Sequence, residues 1–178
     1  MEEKKSLVLY FSRADENYNV GYISKGNTEI VAEYIADITG SDMFKVERKI
    51  PYAKDYNTCI KEAQDEKNTG MMPELKERLE SISDYDVIYI GSPVYWGGMP
   101  MPLINQLQSL NFKGKKVRVF VTHEGSGLST IPSQAREYCV GADVDMNGLA
   151  IVGSKAKESK KEVKAWLEGN WLLWMKTK

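Results

Sequence analysis

Short apolar runs alternate with segments of helical periodicity along this chain, and this alternation constrains the fold more than any other feature. Five apolar runs predict strands at residues 6–11, 42–48, 86–93, 115–123 and within 142–153. Amphipathic segments predict helices at residues 27–40, 54–67, 73–80, 101–110, 129–141 and 158–174. Strands separated by helices favour a parallel sheet that is covered on both faces. We therefore predict a three-layer α/β/α doubly wound fold around a five-stranded parallel sheet.

The size and composition of the chain fit one globular domain spanning residues 1–178. With 42% hydrophobic and 28% charged residues, it can build an ordinary buried core. A chain of this length buries roughly 70% of its unfolded surface on folding. The formal net charge of −1 gives no general attraction to nucleic acid or to anionic lipid, so neither is an expected partner.

No targeting or membrane-spanning segment is evident in the sequence. The first eleven residues, MEEKKSLVLYF, lack the long apolar region and the small-residue cleavage site of a signal peptide. No apolar run reaches the ~18 residues that a membrane span requires. We therefore expect a cytoplasmic protein that is not bound to a membrane, with Cys59 and Cys139 as reduced, unpaired thiols. Both a monomer and a homodimer fit this sequence.

The first candidate binding loop follows the strand that ends at Phe11. Ligands of doubly wound sheets bind beyond the carboxyl ends of the strands. Here a polar stretch leads into Gly26-Asn27-Thr28 at the start of a helix, where free N–H groups and the helix dipole favour an anion. Ser12 could add a hydroxyl donor. The alternative is that Asn27 only caps its helix.

The second candidate loop is GSPVYWGGMP, residues 91–100. Two large aromatic residues, Tyr95 and Trp96, stand at a strand end and are followed at once by Gly97 and Gly98. Rings beside a permissive backbone suit a flat aromatic ligand, which stacks on the rings and bonds to peptide groups. The alternative is that one ring packs into the domain and the other covers it.

The third candidate loop is THEGSGLST, residues 122–130. Gly125 and Gly127 would expose backbone N–H groups, while Thr122 and Ser126 add hydroxyls. Gly125-Ser126-Gly127 is only a weak match to a dinucleotide-binding fingerprint, because it follows the fourth predicted strand and lacks the third glycine.

Other kinds of catalytic site are poorly supported by the sequence. His123 is the only histidine, and no cluster around it has the spacing of metal ligands. Glu124 is interpreted as a surface acid, with a proton carrier as the alternative. Both cysteines fall inside helical patterns and not at a strand end beside a glycine loop, so a phosphatase-type thiol is not predicted.

Taken together, the three loops resemble the Gly-Asn-Thr branch of the flavodoxin family. The matching segments are YFS…GNTEIVAEYIA, DVIYIGSPVYWGGMPMPL and GKKVRVFVTHEGSGL, in the family's order. The resemblance implies a sheet of strand order 2-1-3-4-5 and non-covalent binding of flavin mononucleotide (FMN). It implies a phosphate site at Ser12, Gly26, Asn27 and Thr28. The isoalloxazine ring would be flanked by Pro93, Val94, Tyr95, Trp96, Gly97 and Gly98. Its other edge would meet Thr122, Gly125, Ser126 and Gly127.

The resemblance implies an electron-transfer protein that shuttles one or two electrons to redox partner proteins. An NAD(P)H-dependent FMN quinone or flavin reductase on the same fold is the alternative. A third possibility is a non-flavin module for protein interaction or nucleotide binding. Cationic side chains are absent from the two ring loops, which predicts a low flavin potential. A peptide of Trp96-Gly97-Gly98 could also turn its carbonyl toward the ring.

Two features depart from the family pattern. Residues 13–25 form an insertion, which either folds over the phosphate, with Arg13 or Lys25 adding a cation, or faces a partner. The net charge is near zero, whereas electron-carrying flavodoxins are strongly acidic. The second departure weakens the prediction of a carrier but leaves the predicted flavin site unchanged.

Overall fold

The computed structural model describes residues 4–175, with side chains described as far as residue 169. Its strands are β1 Ser6–Phe11, β2 Asp15–Asn17, β3 Gly21–Ile23, β4 Asp42–Val46, β5 Val87–Pro93, β6 Lys116–His123 and β7 Asp143–Val152. Its α-helices are α1 Asn27–Thr39, α2 Tyr56–Thr69, α3 Met101–Gln108, α4 Ile131–Tyr138 and α5 Lys160–Met175. A short 3₁₀ helix, Gly153–Glu158, joins β7 to α5.

Five strands form one parallel sheet in the order β4-β1-β5-β6-β7. Without the small β2–β3 pair, this is the predicted order 2-1-3-4-5, and the predicted fold class is confirmed. Because the strands are parallel, the loops that follow β1, β5 and β6 leave the same edge of the sheet, and the winding reverses between β1 and β5. This arrangement places the three predicted loops together.

Alternate residues of β1 face the two helical layers, because side chains of a strand point to opposite faces. Leu7, Leu9 and Phe11 belong to the core that packs against α2, α3 and α4. Val8 and Tyr10 belong to the core that packs against α1 and α5. Burial on both faces explains why this strand reads as a continuous apolar run.

Residues 73–80 do not form the predicted helix. Leu75 instead pairs with Arg48 in an isolated antiparallel bridge. Further along, the Gln106 side chain of α3 accepts a hydrogen bond from Leu79 N at 2.9 Å and donates one to Leu79 O at 3.0 Å. These tertiary contacts satisfy backbone groups that a helix would otherwise pair, so they override the local pattern.

The final helix packs on the sheet as predicted where its side chains are described. Leu167 is buried, and the Trp166 indole donates a hydrogen bond to Asn147 O at 3.0 Å. The predicted apolar side also included residues whose side chains lie outside the described part of the chain: Trp171, Leu172, Leu173 and Trp174.

The insertion at residues 13–25 folds as a hairpin of β2 and β3. Asn19 in its turn and Gly21 at the start of β3 have positive φ angles of 61° and 68°, which bring the chain back on itself. The hairpin docks on the start of α2, since Tyr56 N donates a hydrogen bond to the Glu16 carboxylate at 2.7 Å. Among residues 4–175, no helix has both the length and the apolar character needed to cross a bilayer.

Candidate functional site

A cavity of about 360 Å³ opens at the carboxyl ends of β1, β5 and β6. Its volume lies in the range of small-molecule sites, ~300–1,000 Å³. Nine predicted site residues line it: Ser12, Asn27, Thr28, Pro93, Val94, Tyr95, Trp96, Thr122 and Ser126. The other five predicted residues do not line it but shape the loops around it: Gly26, Gly97, Gly98, Gly125 and Gly127.

One end of the cavity is formed by the start of α1. Gly26 is the N-cap residue and Asn27 the first helical residue, so the alternative that Asn27 caps this helix is wrong. The Ser12 hydroxyl accepts a hydrogen bond from Glu29 N at 3.0 Å. The N–H groups of Asn27 and Thr28 meet no acceptor among the described residues. This end therefore offers two backbone donors at the positive end of a helix.

The close approach of two loops explains why residue 26 is a glycine. A Cβ atom at Gly26 would overlap the Ser12 hydroxyl and lie 2.7 Å from the carbonyl oxygen of Arg13. The φ angle of Gly26 is −65°, which any residue can adopt, so the constraint is steric. Gly26 lets the loop after β1 fold directly against the start of α1.

The end of the cavity at the start of α1 also contacts the last residues of β6 and the residues that follow β6 and β7. The hydroxyls of Thr28 and Thr122 are hydrogen-bonded at 2.7 Å, and both side chains are buried. A Cβ atom at Gly153 would overlap the Glu124 carboxylate and lie 2.5 Å from the Asn27 amide nitrogen. Gly153 was not predicted as a site residue, although a glycine directly after a strand is a signal for close backbone approach.

Glu124 is not a simple surface acid, contrary to the sequence interpretation. It is half-buried, lines the cavity and accepts a hydrogen bond from Ser154 N at 3.1 Å. Its carboxylate therefore holds the start of the 3₁₀ helix beside the Asn27 side chain.

The opposite end of the cavity carries the two predicted aromatic residues. Tyr95 is half-buried and packs edge-on against Phe11 and Tyr52, at centroid distances of 5.8 and 5.9 Å. Trp96 remains 45% exposed, and its indole donates a hydrogen bond to Ile60 O at 2.8 Å. One ring is thus anchored in the core while the other presents a face at the cavity mouth, so this end suits a flat ligand.

A tight turn holds these rings. Tyr95 and Gly98 exchange backbone hydrogen bonds of 2.8 and 3.1 Å, with φ angles of 50° at Trp96 and 80° at Gly97. These values are typical of a type I′ turn, and the left-handed region is unusual for a residue as large as tryptophan. A Cβ atom at Gly98 would lie 2.7 Å from Gln134 Oε1, so this glycine lets the turn approach α4.

The carbonyl groups of the turn are already engaged. Gly97 O accepts hydrogen bonds from the hydroxyls of Ser129 and Thr130, each at 2.7 Å. Trp96 O accepts a hydrogen bond from the Lys67 ammonium group. Turning either carbonyl toward a ligand, as the sequence suggested, would require these bonds to break.

The glycine loop after β6 forms the remaining edge. Gly125 and Gly127 have φ angles of 126° and 59°, which favour glycine. Gly125 N donates a hydrogen bond to His123 Nδ1 at 2.9 Å, so this N–H is not free. Ser126 lines the cavity and is exposed. Among the described residues, no cluster of three histidine, cysteine or acidic side chains could hold a metal ion.

A further wall of the cavity comes from the hairpin and α2; of its residues, the sequence suggested only Arg13, as a possible cation for the phosphate. The residues concerned are Arg13, Asn17, Tyr18, Tyr56, Cys59, Ile60 and Ala63. We call this set the hairpin–α2 wall. The rings of Tyr18 and Tyr56 lie 5.8 Å apart and join its two halves. Lys25 does not line the cavity; its ammonium group pairs with Glu33 at 2.6 Å.

A sequence model of the flavodoxin family matches residues 17–170, most of the chain. The chain belongs to the flavodoxin family. A search of curated proteins gave no match.

Solved structures share the fold of this flavodoxin-family chain. A candidate flavoprotein from Bacteroides uniformis aligns with a TM-score of 0.74 and 24% identity, covering 94% of this chain and 99% of its own. Another candidate flavoprotein, from Bacteroides eggerthii, aligns with a TM-score of 0.73 and 26% identity, covering 92% of this chain and 96% of its own. A flavoprotein from Lactobacillus acidophilus, solved in complex with FMN, gives 0.61 and 25%, with coverages of 87% and 97%.

Burial raises the pKa of two ionisable side chains at the aromatic end of this flavodoxin-family site. Burial raises the pKa of the Tyr95 phenol well above its usual range, and the neighbouring Cys59 raises it further. Burial also raises the pKa of the Cys59 thiol. The Arg13 guanidinium opposes both shifts without reversing them. At neutral pH, Tyr95 and Cys59 are therefore uncharged and act as packing and hydrogen-bonding groups.

Proposed function

We propose that this protein binds FMN non-covalently and transfers electrons through it to redox partner proteins. The observation that carries the proposal is a single cavity joining the unpaired N–H groups of Asn27 and Thr28 to the aromatic pair Tyr95 and Trp96. Its two ends match the two parts of a flavin mononucleotide, an anionic phosphate and a flat ring. The FMN complex of the Lactobacillus acidophilus relative supports the same ligand.

The phosphate end would hold the dianion mainly through backbone and hydroxyl groups. Asn27 and Thr28 supply N–H donors at the start of α1, and the hydroxyls of Thr28 and Thr122 lie beside them. Donors fixed in this way need little reorganisation on binding, which reduces the entropic cost. Gly26 keeps the two backbones close enough for the donors to share one ligand.

The ring end would orient the cofactor and exclude water from one of its sides. Phe11, Tyr52 and Tyr95 form a contiguous aromatic cluster beneath the cavity. Trp96 stands at the mouth, where its exposed face could stack on the ring. Bound FMN itself supplies the redox chemistry, accepting and releasing one or two electrons.

The test is a titration of the purified protein with FMN and, in parallel, with riboflavin, which lacks the phosphate. We expect saturable binding of both, with FMN bound more tightly because only FMN uses the N–H groups of α1. Quenching of flavin fluorescence and a change in the visible spectrum would report binding. A protein that binds neither compound would support the non-flavin module instead.

The hairpin–α2 wall favours a second candidate function, an NAD(P)H-dependent FMN quinone or flavin reductase. The wall lies beyond the three loops assigned to the cofactor and adds aromatic and apolar surface from Tyr18, Tyr56 and Ile60. Such a surface could position a flat second substrate near the ring. Rapid anaerobic bleaching of the FMN-loaded protein by NADH or NADPH alone would favour the reductase, while slow bleaching would favour the carrier.

A further inference from the structure

The inserted hairpin holds one cationic side chain on the cavity in an unusual way. The Arg13 guanidinium donates hydrogen bonds to Ala53 O at 2.6 Å and to Lys54 O at 2.8 Å, and also to Glu16 O. These acceptors are neutral backbone carbonyls. Among the described side chains, no carboxylate lies within ion-pair distance of Arg13. The guanidinium is therefore fixed in place while its charge remains uncompensated by direct pairing.

The same side chain has donor capacity left over. Its Nε atom is buried and has no hydrogen-bond partner. A buried guanidinium N–H without an acceptor costs free energy, and the carbonyl contacts of the other two nitrogens offset that cost. Its carbonyl partners Ala53 and Lys54 lie directly before α2, whose Cys59 lines the cavity together with Arg13, so the guanidinium lies on the ring side. Its charge opposes the rise in the pKa of Cys59 and of Tyr95.

The acidic groups at this contact are already engaged with the start of α2. Glu16 accepts a hydrogen bond from Tyr56 N at 2.7 Å, and Asp55 accepts one from Thr58 N at 2.8 Å. Asp55 is exposed, so solvent screens its effect on Arg13. A third carboxylate, that of Glu62, accepts a hydrogen bond from Ala53 N at 2.9 Å. None of the three lines the cavity, whereas Arg13 does.

From this geometry we infer that Arg13 presents a fixed positive charge to the ring end of the cavity and selectively stabilises the reduced, negatively charged cofactor. The inference rests on the proposed binding of FMN. Adding two electrons and one proton to the isoalloxazine ring leaves one extra negative charge on it, which a nearby cation favours. The absence of cations from the ring loops predicted a low potential; Arg13 reaches that end from the insertion and raises the potential.

The test compares Arg13→Gln, which removes the charge, with Arg13→Lys, which keeps the charge but not the carbonyl contacts. Arg78→Gln is the matched control, because exposed Arg78 also contacts a backbone carbonyl, that of Asn105, yet lies outside the cavity. Each variant is titrated with FMN and with riboflavin. The flavin potential is then measured by anaerobic reduction with dithionite against reference dyes.

For Arg13→Gln we expect the midpoint potential to fall, with reduced FMN bound about tenfold more weakly relative to oxidised FMN. The same fall should occur with riboflavin bound in place of FMN. The midpoint potential should stay close to the wild-type value in Arg13→Lys, and it should be unchanged in Arg78→Gln. Because Arg13→Lys retains the charge but alters the hydrogen bonds, its midpoint potential distinguishes an electrostatic effect of Arg13 from the effect of a loosened hairpin.

Two results would overturn the inference. An unchanged potential in Arg13→Gln would show that the charge does not act on the ring. A loss of affinity for oxidised FMN but not for riboflavin would assign Arg13 to the phosphate instead. A wild-type protein that binds no flavin at all would refute the proposed function itself, which is a distinguishable failure.

Discussion

The two ends of the cavity are built from different kinds of group. The phosphate end consists of backbone N–H groups and small side chains contributed mainly by one loop and the first turn of α1. The ring end consists of large side chains from β5, α2 and the inserted hairpin, held by tertiary hydrogen bonds. The phosphate end is thus built on backbone groups of the first helix, with Thr122 and Gly153 completing it, whereas the ring end depends on the packing of large side chains. The two ends can therefore be tested separately, by substitutions at the start of α1 and by substitutions of the large side chains.

The most severe test of the phosphate end is Gly26→Val. The new side chain would overlap Ser12 and press on the Arg13 carbonyl, so the loop and the start of α1 must separate. Overpacking of this kind costs about 2–3 kcal/mol, which would weaken FMN binding by a factor of about 30 to 150. Isothermal titration calorimetry would measure the loss. Gly169→Ala in α5 is the control, since a Cβ atom there meets nothing within 4 Å.

The corresponding test of the ring end is Trp96→Gly. Removing the ring should weaken FMN and riboflavin equally, by about tenfold, because aromatic contacts contribute about 0.5–1.5 kcal/mol beyond the area they bury. Thermal stability should hardly fall, since a φ angle of 50° is easier for glycine than for tryptophan. A loss confined to FMN would contradict the division of the cavity into two ends.

Thr28→Val probes the phosphate end with a smaller change. The substitution keeps the shape of the side chain and removes the hydroxyl that bonds to Thr122 at 2.7 Å. Without this hydroxyl, the pair has one donor fewer for the phosphate, which should cost about 1 kcal/mol, or about fivefold in FMN affinity. Riboflavin affinity, measured by fluorescence quenching, should stay the same. An equal loss for both flavins would mean that the hydroxyl pair only joins the two loops.

Glu124→Gln should change FMN affinity least, and it should raise this affinity, whereas the other three substitutions lower it. The glutamine oxygen can still accept the hydrogen bond from Ser154 N, but the negative charge beside Asn27 is removed. With less repulsion of the phosphate, we expect FMN to bind about threefold more tightly, while riboflavin affinity is unchanged. The gain should shrink at high salt because Glu124 is only half-buried. Weaker FMN binding would indicate that the carboxylate organises the loop instead.

The sequence predicted the sheet and the start of α1 well because both depend on local signals. Continuous apolar runs identified β1, β5 and β6, and Gly26-Asn27-Thr28 marked the start of α1. The loop pattern that resembled the flavodoxin family was confirmed by the family match. These features are encoded by neighbouring residues, so they can be detected without knowledge of packing.

The features that were missed depend on contacts between distant residues. Residues 73–80 have a helical pattern, but Leu75 pairs with Arg48 and Leu79 bonds to Gln106, so the segment forms no helix. Likewise, nothing local to the Cys59 segment indicates that it faces a cavity. The insertion was recognised as extra chain, but its docking on α2 through Arg13 and Glu16 could not be predicted from periodicity.

The position of Gly153 beside Asn27 has a consequence for how the protein matures. One side of the pocket comes from the first helix and the other from chain that follows the last strand, β7. While the ribosome is still synthesising that strand, the nascent polypeptide has no complete place for a mononucleotide. Cofactor loading must therefore wait until the chain has been synthesised beyond β7 and the 3₁₀ helix has packed beside the start of α1.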